Sequence, residues 1–225
     1  MKYIISIFLL LCIIYPRREF HISDSHLHHL DNNRSCGQRP VLDYNILSPS
    51  GKFMIHYNDY YNGIDIYANS VALSADSSRK VIVDMMNFRS EVPDEDSIYD
   101  IYIEELPNGS YGWNCPDDGL GSSWIEIDDN YIGSNYSTTG EDAMRISIAH
   151  EFFHAIQRAY HEKSSGTYIE GGLAPVNYSY FYEFSSMWLE DIIVPNSNDY
   201  LYFLSSTADE RRFFSNPEQK FSDTD

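Results

Sequence analysis

The residues best equipped for chemistry stand together at His150-Glu151-Phe152-Phe153-His154. On a helix, two histidines four residues apart project from one face, close enough for both imidazoles to reach a single tetrahedral Zn²⁺ at about 2.0–2.1 Å. Glu151 stands beside them, placed to take a proton from a water that the metal polarises. A catalytic zinc takes a third protein ligand, and a second apolar stretch, Tyr178 to Ile193 (YSYFYEFSSMWLEDII), offers candidates. Glu183 and Glu190 lie there seven residues apart, two turns along nearly one helix face. One of the two carboxylates can complete the metal site while the other holds a ligand imidazole in its correct tautomer. Glu170, beside Gly171 and Gly172 in what reads as a loop, is the alternative third ligand.

The elements that must position these groups show in the pattern around them. Thr138 with Glu141 three residues on forms a capping box, Glu141 and Asp142 suit the positive end of a helix dipole, and apolar positions run from Ala143 to Tyr160. The reading is one helix over residues 139–162. Upstream, residues 52–57 (KFMIHY) alternate like a strand after the turn residues Ser48-Pro49-Ser50-Gly51. Ile64, Ala68, Val71, Ala75, Ile82 and Met85 then recur at helical spacing and predict a long amphipathic helix. Residues 99–106 (YDIYIEEL) alternate as a half-buried strand, and residues 123–128 (SWIEID) alternate too. Between them, residues 107–121 are rich in Gly, Asn, Pro and Asp and read as a loop.

Composition narrows the class. The 225 residues are 43% hydrophobic, enough for one well-buried domain and short for two. With 15 Lys+Arg against 34 Asp+Glu the net charge is −19, a field that repels phosphate backbones and argues against nucleic acid as a partner. The apolar run from Tyr3 to Tyr15 follows a single Lys2 and falls short of the roughly 20 residues a membrane span needs. Residues 1–20 therefore read as a signal peptide or N-terminal anchor, residues 21–40 as a linker or pro-like segment, and residues 41–225 as the domain. Any membrane contact is expected only through that N-terminal segment if it stays uncleaved, and the location is secreted, cell-surface or periplasmic. With Cys12 inside the signal, Cys36 and Cys115 remain, an even number expected to pair in an oxidising compartment. Asp117-Asp118 and Asp128-Asp129 are the acidic pairs a Ca²⁺ loop would use, but neither run has alternating oxygen-ligand spacing, so solvated turns are the better reading.

The motif and its downstream glutamate resemble the gluzincins, HExxH zinc peptidases that include thermolysin-like proteases and aminopeptidases of the zinc-dependent N type. Residues 183–190 (EFSSMWLE) are similar in register to the NEGFAxYxE segment of those aminopeptidases. The chain is more similar still to secreted bacterial proteins assigned as metalloproteases, which read HEFFHAIQ, then EGTATWMED, then a short NDY segment. Here these are His150 to Gln157, Glu183 to Asp191 and Asn198-Asp199-Tyr200. Ser35-Cys36-Gly37, residues 48–53 (SPSGKF) and Tyr111-Gly112 also look like that group, so the resemblance spans most of residues 35–204. Phe184 and Ser186 stand where that pattern has Gly and Ala, and 28 residues separate His154 from Glu183, a longer spacer than usual.

The resemblance implies a zincin-like α+β fold, with a small mixed or antiparallel sheet, a long HExxH helix and a helical C-terminal part carrying the third ligand. It implies a zinc-dependent peptidase holding one Zn²⁺ through His150, His154 and Glu183, with Glu151 as general base and a peptide or protein as substrate. The alternative is a zincin-fold surface binding protein with weak or no turnover. An oxyanion donor is expected among His161, Tyr178, Tyr180, Tyr182 and Tyr200. By the same analogy the strand at residues 124–127 is either an ordinary sheet strand or the sheet edge that pairs with an extended peptide.

Overall fold

Residues 36–92, 94–117, 121–133, 136–161 and 179–197 are described by the computed structural model. The signal or anchor expected at residues 1–20, most of the linker, and Glu170 lie outside the described residues.

Ser48-Pro49-Ser50-Gly51 makes a hairpin turn. The Gly51 N–H donates to the Ser48 carbonyl at 2.9 Å and the Ser48 N–H to the Phe53 carbonyl at 2.8 Å. The turn joins β1 (Tyr44–Leu47) to β2 (Phe53–Tyr57) in an antiparallel pair. β1 escapes a pattern reading because it is an outer strand with Tyr44 and Leu47 about half exposed, so no alternation marks it. Helix α1 (Ile64–Arg79) follows and runs on into a π-helical turn (Lys80–Met85). Ile64, Ala68, Val71, Ala75 and Ile82 are buried as their spacing predicts, but Met85 is 70% exposed. The π turn closes on i→i+5 hydrogen bonds and so shifts the helical phase, which carries Met85 off the buried stripe.

The other strands are β3 (Tyr99–Glu104), β4 (Gly112–Pro116), which follows a 3₁₀ turn at Pro107–Gly109, and β5 (Ser123–Asp128). The sheet order is β1-β2-β3-β5-β4, parallel across β2/β3/β5 and antiparallel at both outer pairs. Three sequence expectations change here. The stretch 107–121 is not all loop, since it contains β4. Strand β3 is buried on both faces rather than one: Tyr99, Ile101 and Ile103 point into the main core, while Asp100 and Tyr102 are covered on the other side. And β5 is not an edge, because β3 and β4 flank it. Among the described residues the strand at that end of the sheet is β4.

Helix α2 (Gly140–His161) packs against α1, β4 and β5, and α3 (Ser179–Ile193) packs against α2. One apolar cluster unites the inward residues of the sheet with those of α1 and α2, and Phe152 meets Phe53 and Tyr99 edge-on at ring distances of 5.3 and 6.1 Å. The opposite face of the sheet is held by the chain that enters it. Cys36 forms a disulfide with Cys115 of β4, with the two Cα atoms 5.4 Å apart. Arg39 donates from Nε and Nη2 to Asp117 at 3.1 and 2.6 Å, pairs with Asp94 at 3.1 Å and with Asp100, and lies 5.2 Å over the Trp124 ring. Asp100 also meets His56 Nε2 at 2.8 Å. A mixed five-stranded sheet with three helices is an α+β fold.

Candidate metal centre

Helix α2 reaches the site on a fixed approach. The Tyr111 hydroxyl donates to the Thr138 carbonyl and accepts from the Thr138 N–H, both at 2.9 Å, and so pins the residues that lead into the helix. About three turns on, His150 and His154 project together. Their Nε2 atoms lie 3.0 Å apart, and the Glu183 carboxylate of α3 stands 3.1 Å from His150 Nε2 and 3.5 Å from His154 Nε2. The three ligating groups fall within 4.8 Å of one another, and among the described residues they are the group able to hold a metal ion.

The remaining ring nitrogens are occupied in a way that fixes the tautomers. His150 Nδ1 lies 2.5 Å from Glu190 Oε1, and His154 Nδ1 lies 2.7 Å from Gln157 Oε1. A carboxylate accepts only, so His150 Nδ1 donates to Glu190, and Nε2, which faces Glu183, is the nitrogen left to exchange its proton for a metal ion. Gln157 is oriented by its own donors, which reach the Tyr182 carbonyl at 3.1 Å and the Ser185 hydroxyl at 3.0 Å. Its amide oxygen therefore faces His154 and accepts the Nδ1 proton. Gln157 ends the HEFFHAIQ segment, and its place three residues after His154, hence on the same helix face, is the sequence signal of this role.

Electrostatics follow from burial and crowding. Burial alone would raise the Glu183 carboxyl, but the His154 and His150 imidazoles hold it well below the ordinary range. For His150 burial opposes protonation, yet the Glu183 and Glu190 carboxylates bonded to it push it well above the usual imidazole value. Imidazolium and carboxylate thus neutralise one another where a cation would otherwise do so. Glu151 is nearly fully buried, and its burial raises the carboxyl against the lowering pull of both imidazoles. A Cβ placed on Gly112 of β4 would come within 3.0 Å of Glu151 Cγ and 3.0 Å of the Glu126 carbonyl. Only a residue without a side chain lets the edge strand approach that closely.

No model of a known protein family matches the chain, and no curated protein matches it.

The structure thus brings together His150, His154, Glu183 and Glu190, with Glu151 beside them on α2. Of the two positions that depart from the resembled pattern, Phe184 is half exposed, while Ser186 is fully buried with its hydroxyl 3.4 Å from His154 Nδ1. Tyr182 contributes its carbonyl to Gln157. Tyr178, Tyr200 and the side chains of His161 and Tyr180 lie outside the described residues. The acidic pairs have other partners: Asp117 is held by Arg39, and Asp128 accepts from the N–H groups of Leu106, Asn130 and Tyr131 at 3.2, 3.1 and 2.7 Å. Asp118 lies outside the described residues. No described helix is long and apolar enough to cross a membrane.

Proposed function

We propose that this chain is an exported zinc-dependent peptidase of zincin type. The observation that carries the reading is the convergence of two imidazole Nε2 atoms and one carboxylate within 4.8 Å, on two helices, with each imidazole's other nitrogen already held. Two neutral imidazoles and a carboxylate are the donor set of catalytic zinc, which keeps a further position for water or substrate. Bound there, zinc would supply Lewis-acid polarisation of a carbonyl and acidification of water.

The chain's own residues supply the rest. Glu151 stands one residue from the ligand His150 and takes up the proton released on attack, then returns it to the leaving amine. Burial raises its carboxyl above the ordinary carboxylate range, which strengthens it as a base. Glu190 and Gln157 keep the imidazoles in the ligating tautomer. Strand β4, which ends the sheet among the described residues, is where an extended peptide would add, and Gly112 sets that strand against Glu151. The Cys36–Cys115 disulfide fits an oxidising, extracytoplasmic setting.

The test is hydrolysis of casein by the zinc-loaded protein. Activity is expected to disappear with a chelator and with Glu151→Gln, and to return when zinc is restored to the wild type. Hydrolysis that survives both treatments would reject the reading, whereas one tightly bound zinc without any proteolysis would favour the binding-protein alternative.

A further inference from the structure

Strand β4 is fastened to the metal-bearing helix by a buried polar cluster. Arg158, two turns beyond Glu151 on α2 and only 5% exposed, donates from Nε to the Asn114 side-chain oxygen at 2.5 Å and from Nη2 to the Asn114 carbonyl at 3.2 Å. The Asn114 amide nitrogen in turn lies 3.0 Å from the Tyr99 hydroxyl, 3.2 Å from the Ser123 hydroxyl and 3.2 Å from the Glu151 carbonyl. One side chain of the edge strand thereby touches both the sheet interior and the backbone of Glu151.

The direction of the backbone groups adds to this. The Asp117 N–H donates to the Ser122 carbonyl and the Asp128 N–H to the Tyr111 carbonyl. Since alternate residues of an antiparallel strand face the partner, residues 111, 113, 115 and 117 turn toward β5, and the backbone groups of Gly112, Asn114 and Pro116 turn to the side where, among the described residues, no strand pairs. On that side Pro116 has no N–H to give, and the Asn114 carbonyl is engaged by Arg158. Gly112, which abuts Glu151, turns its N–H and carbonyl to that same side.

We propose that Asn114 and Arg158 are positioning residues for peptide hydrolysis: they dock the edge strand on α2 so that an extended substrate pairs at Gly112, directly beside the general base. The inference rests on the peptidase reading. The contacts described for Asn114 run to Arg158, Tyr99, Ser123 and the Glu151 carbonyl, so the effect of the pair should fall on substrate binding and not on metal binding.

The experiment measures zinc affinity, melting temperature, KM and kcat on an internally quenched peptide for the zinc-loaded wild type, Asn114→Ala, Arg158→Met and Arg158→Lys. Asn114→Ala and Arg158→Met are expected to raise KM by about tenfold, the scale of one misplaced hydrogen-bonded pair, while kcat and zinc affinity stay within about threefold. Arg158→Lys keeps the charge and one donor, and should recover part of the loss in KM. Folded variants with the wild-type KM would overturn the inference. So would variants, Arg158→Lys included, that lose zinc and fold together, because the role would then be structural. A zinc-loaded wild type that cleaves no peptide would overturn the peptidase reading itself, and the inference with it; failure of the inference alone is seen only in a wild type that cleaves.

Discussion

The contact between Glu190 and His150 makes a quantitative demand on metal affinity. Glu190 accepts the His150 Nδ1 proton at 2.5 Å, a hydrogen bond to a charged acceptor, and such bonds are about twice as strong as neutral ones. Glu190→Gln keeps an acceptor of the same shape and removes the charge; Glu190→Ala removes both and leaves a buried N–H without that partner. Carboxylates that orient ligand imidazoles contribute about 10–100-fold to metal affinity, or roughly 1.4–2.8 kcal/mol. Glu190→Gln is therefore expected near the lower end and Glu190→Ala near the upper. Gln157 does the same for His154 as a neutral acceptor at 2.7 Å, and the Ser186 hydroxyl at 3.4 Å is close enough to take over part of its role. Gln157→Ala should thus weaken binding by less than about tenfold. The assay is competition for zinc against a chromophoric chelator at pH 7, with Glu183→Ala as the variant that loses a ligand outright. Zinc affinity in Glu190→Ala within about threefold of the wild type would refute the argument, and so would a larger loss in Gln157→Ala than in Glu190→Ala.

Three further outcomes follow from the fold. Replacing Cys36 and Cys115 by Ser opens a loop closed across 79 residues of sequence, and the unreduced protein should be more resistant to denaturant by up to about 4 kcal/mol; equal stability of the two forms would count against the bridge. Phe152→Ala removes a fully buried ring packed on Phe53 and Tyr99, and should cost about 3–5 kcal/mol in chemical denaturation at fixed zinc concentration. Asp129 is pushed up to about 6 by burial first and by the Asp128 and Glu105 charges second. Because its folded form binds the proton more tightly than the unfolded chain, stability should fall as pH rises from about 4 to about 6. Asp129→Asn should remove that decline and be more stable at pH 7 by about 1 kcal/mol, a value discounted for solvent around the acidic pair; an unchanged pH profile of melting would refute it.

What sequence alone makes legible here is what is local. His150, His154 and Gln157 lie within eight consecutive residues of one amphipathic helix, and Glu183 and Glu190 share a helix face, so spacing alone suggests that they meet. Strands β2 and β5 show their alternation plainly. The edge strand β4 does not, because its residues answer to neighbours rather than to strand propensity. Gly112 is shaped by the nearness of Glu151, Asn114 by Arg158, and Pro116 by a side where no described strand asks for its N–H. A composition reading sees only Gly, Asn and Pro and infers a loop. The order β1-β2-β3-β5-β4 is likewise non-local, and without it β5 and β4 cannot be told apart as interior and edge. Met85 fails for a different reason: a single π turn breaks the 3.6-residue phase on which the stripe was projected.

The two helices that share the metal ligands also make the site a fastener. His154 and Glu183 are separated by 28 residues of chain, so an ion bound between them would close that length as a cross-link does. An ion with affinity only for the folded arrangement adds about 2.7 kcal/mol of stability at 100 times its dissociation constant. The lifetime of the folded protein would then depend on the supply of that ion. In a metal-poor medium α3, which among the described residues packs chiefly on α2, would be the first element to open to proteases, so scarcity of the ion would shorten the life of the fold.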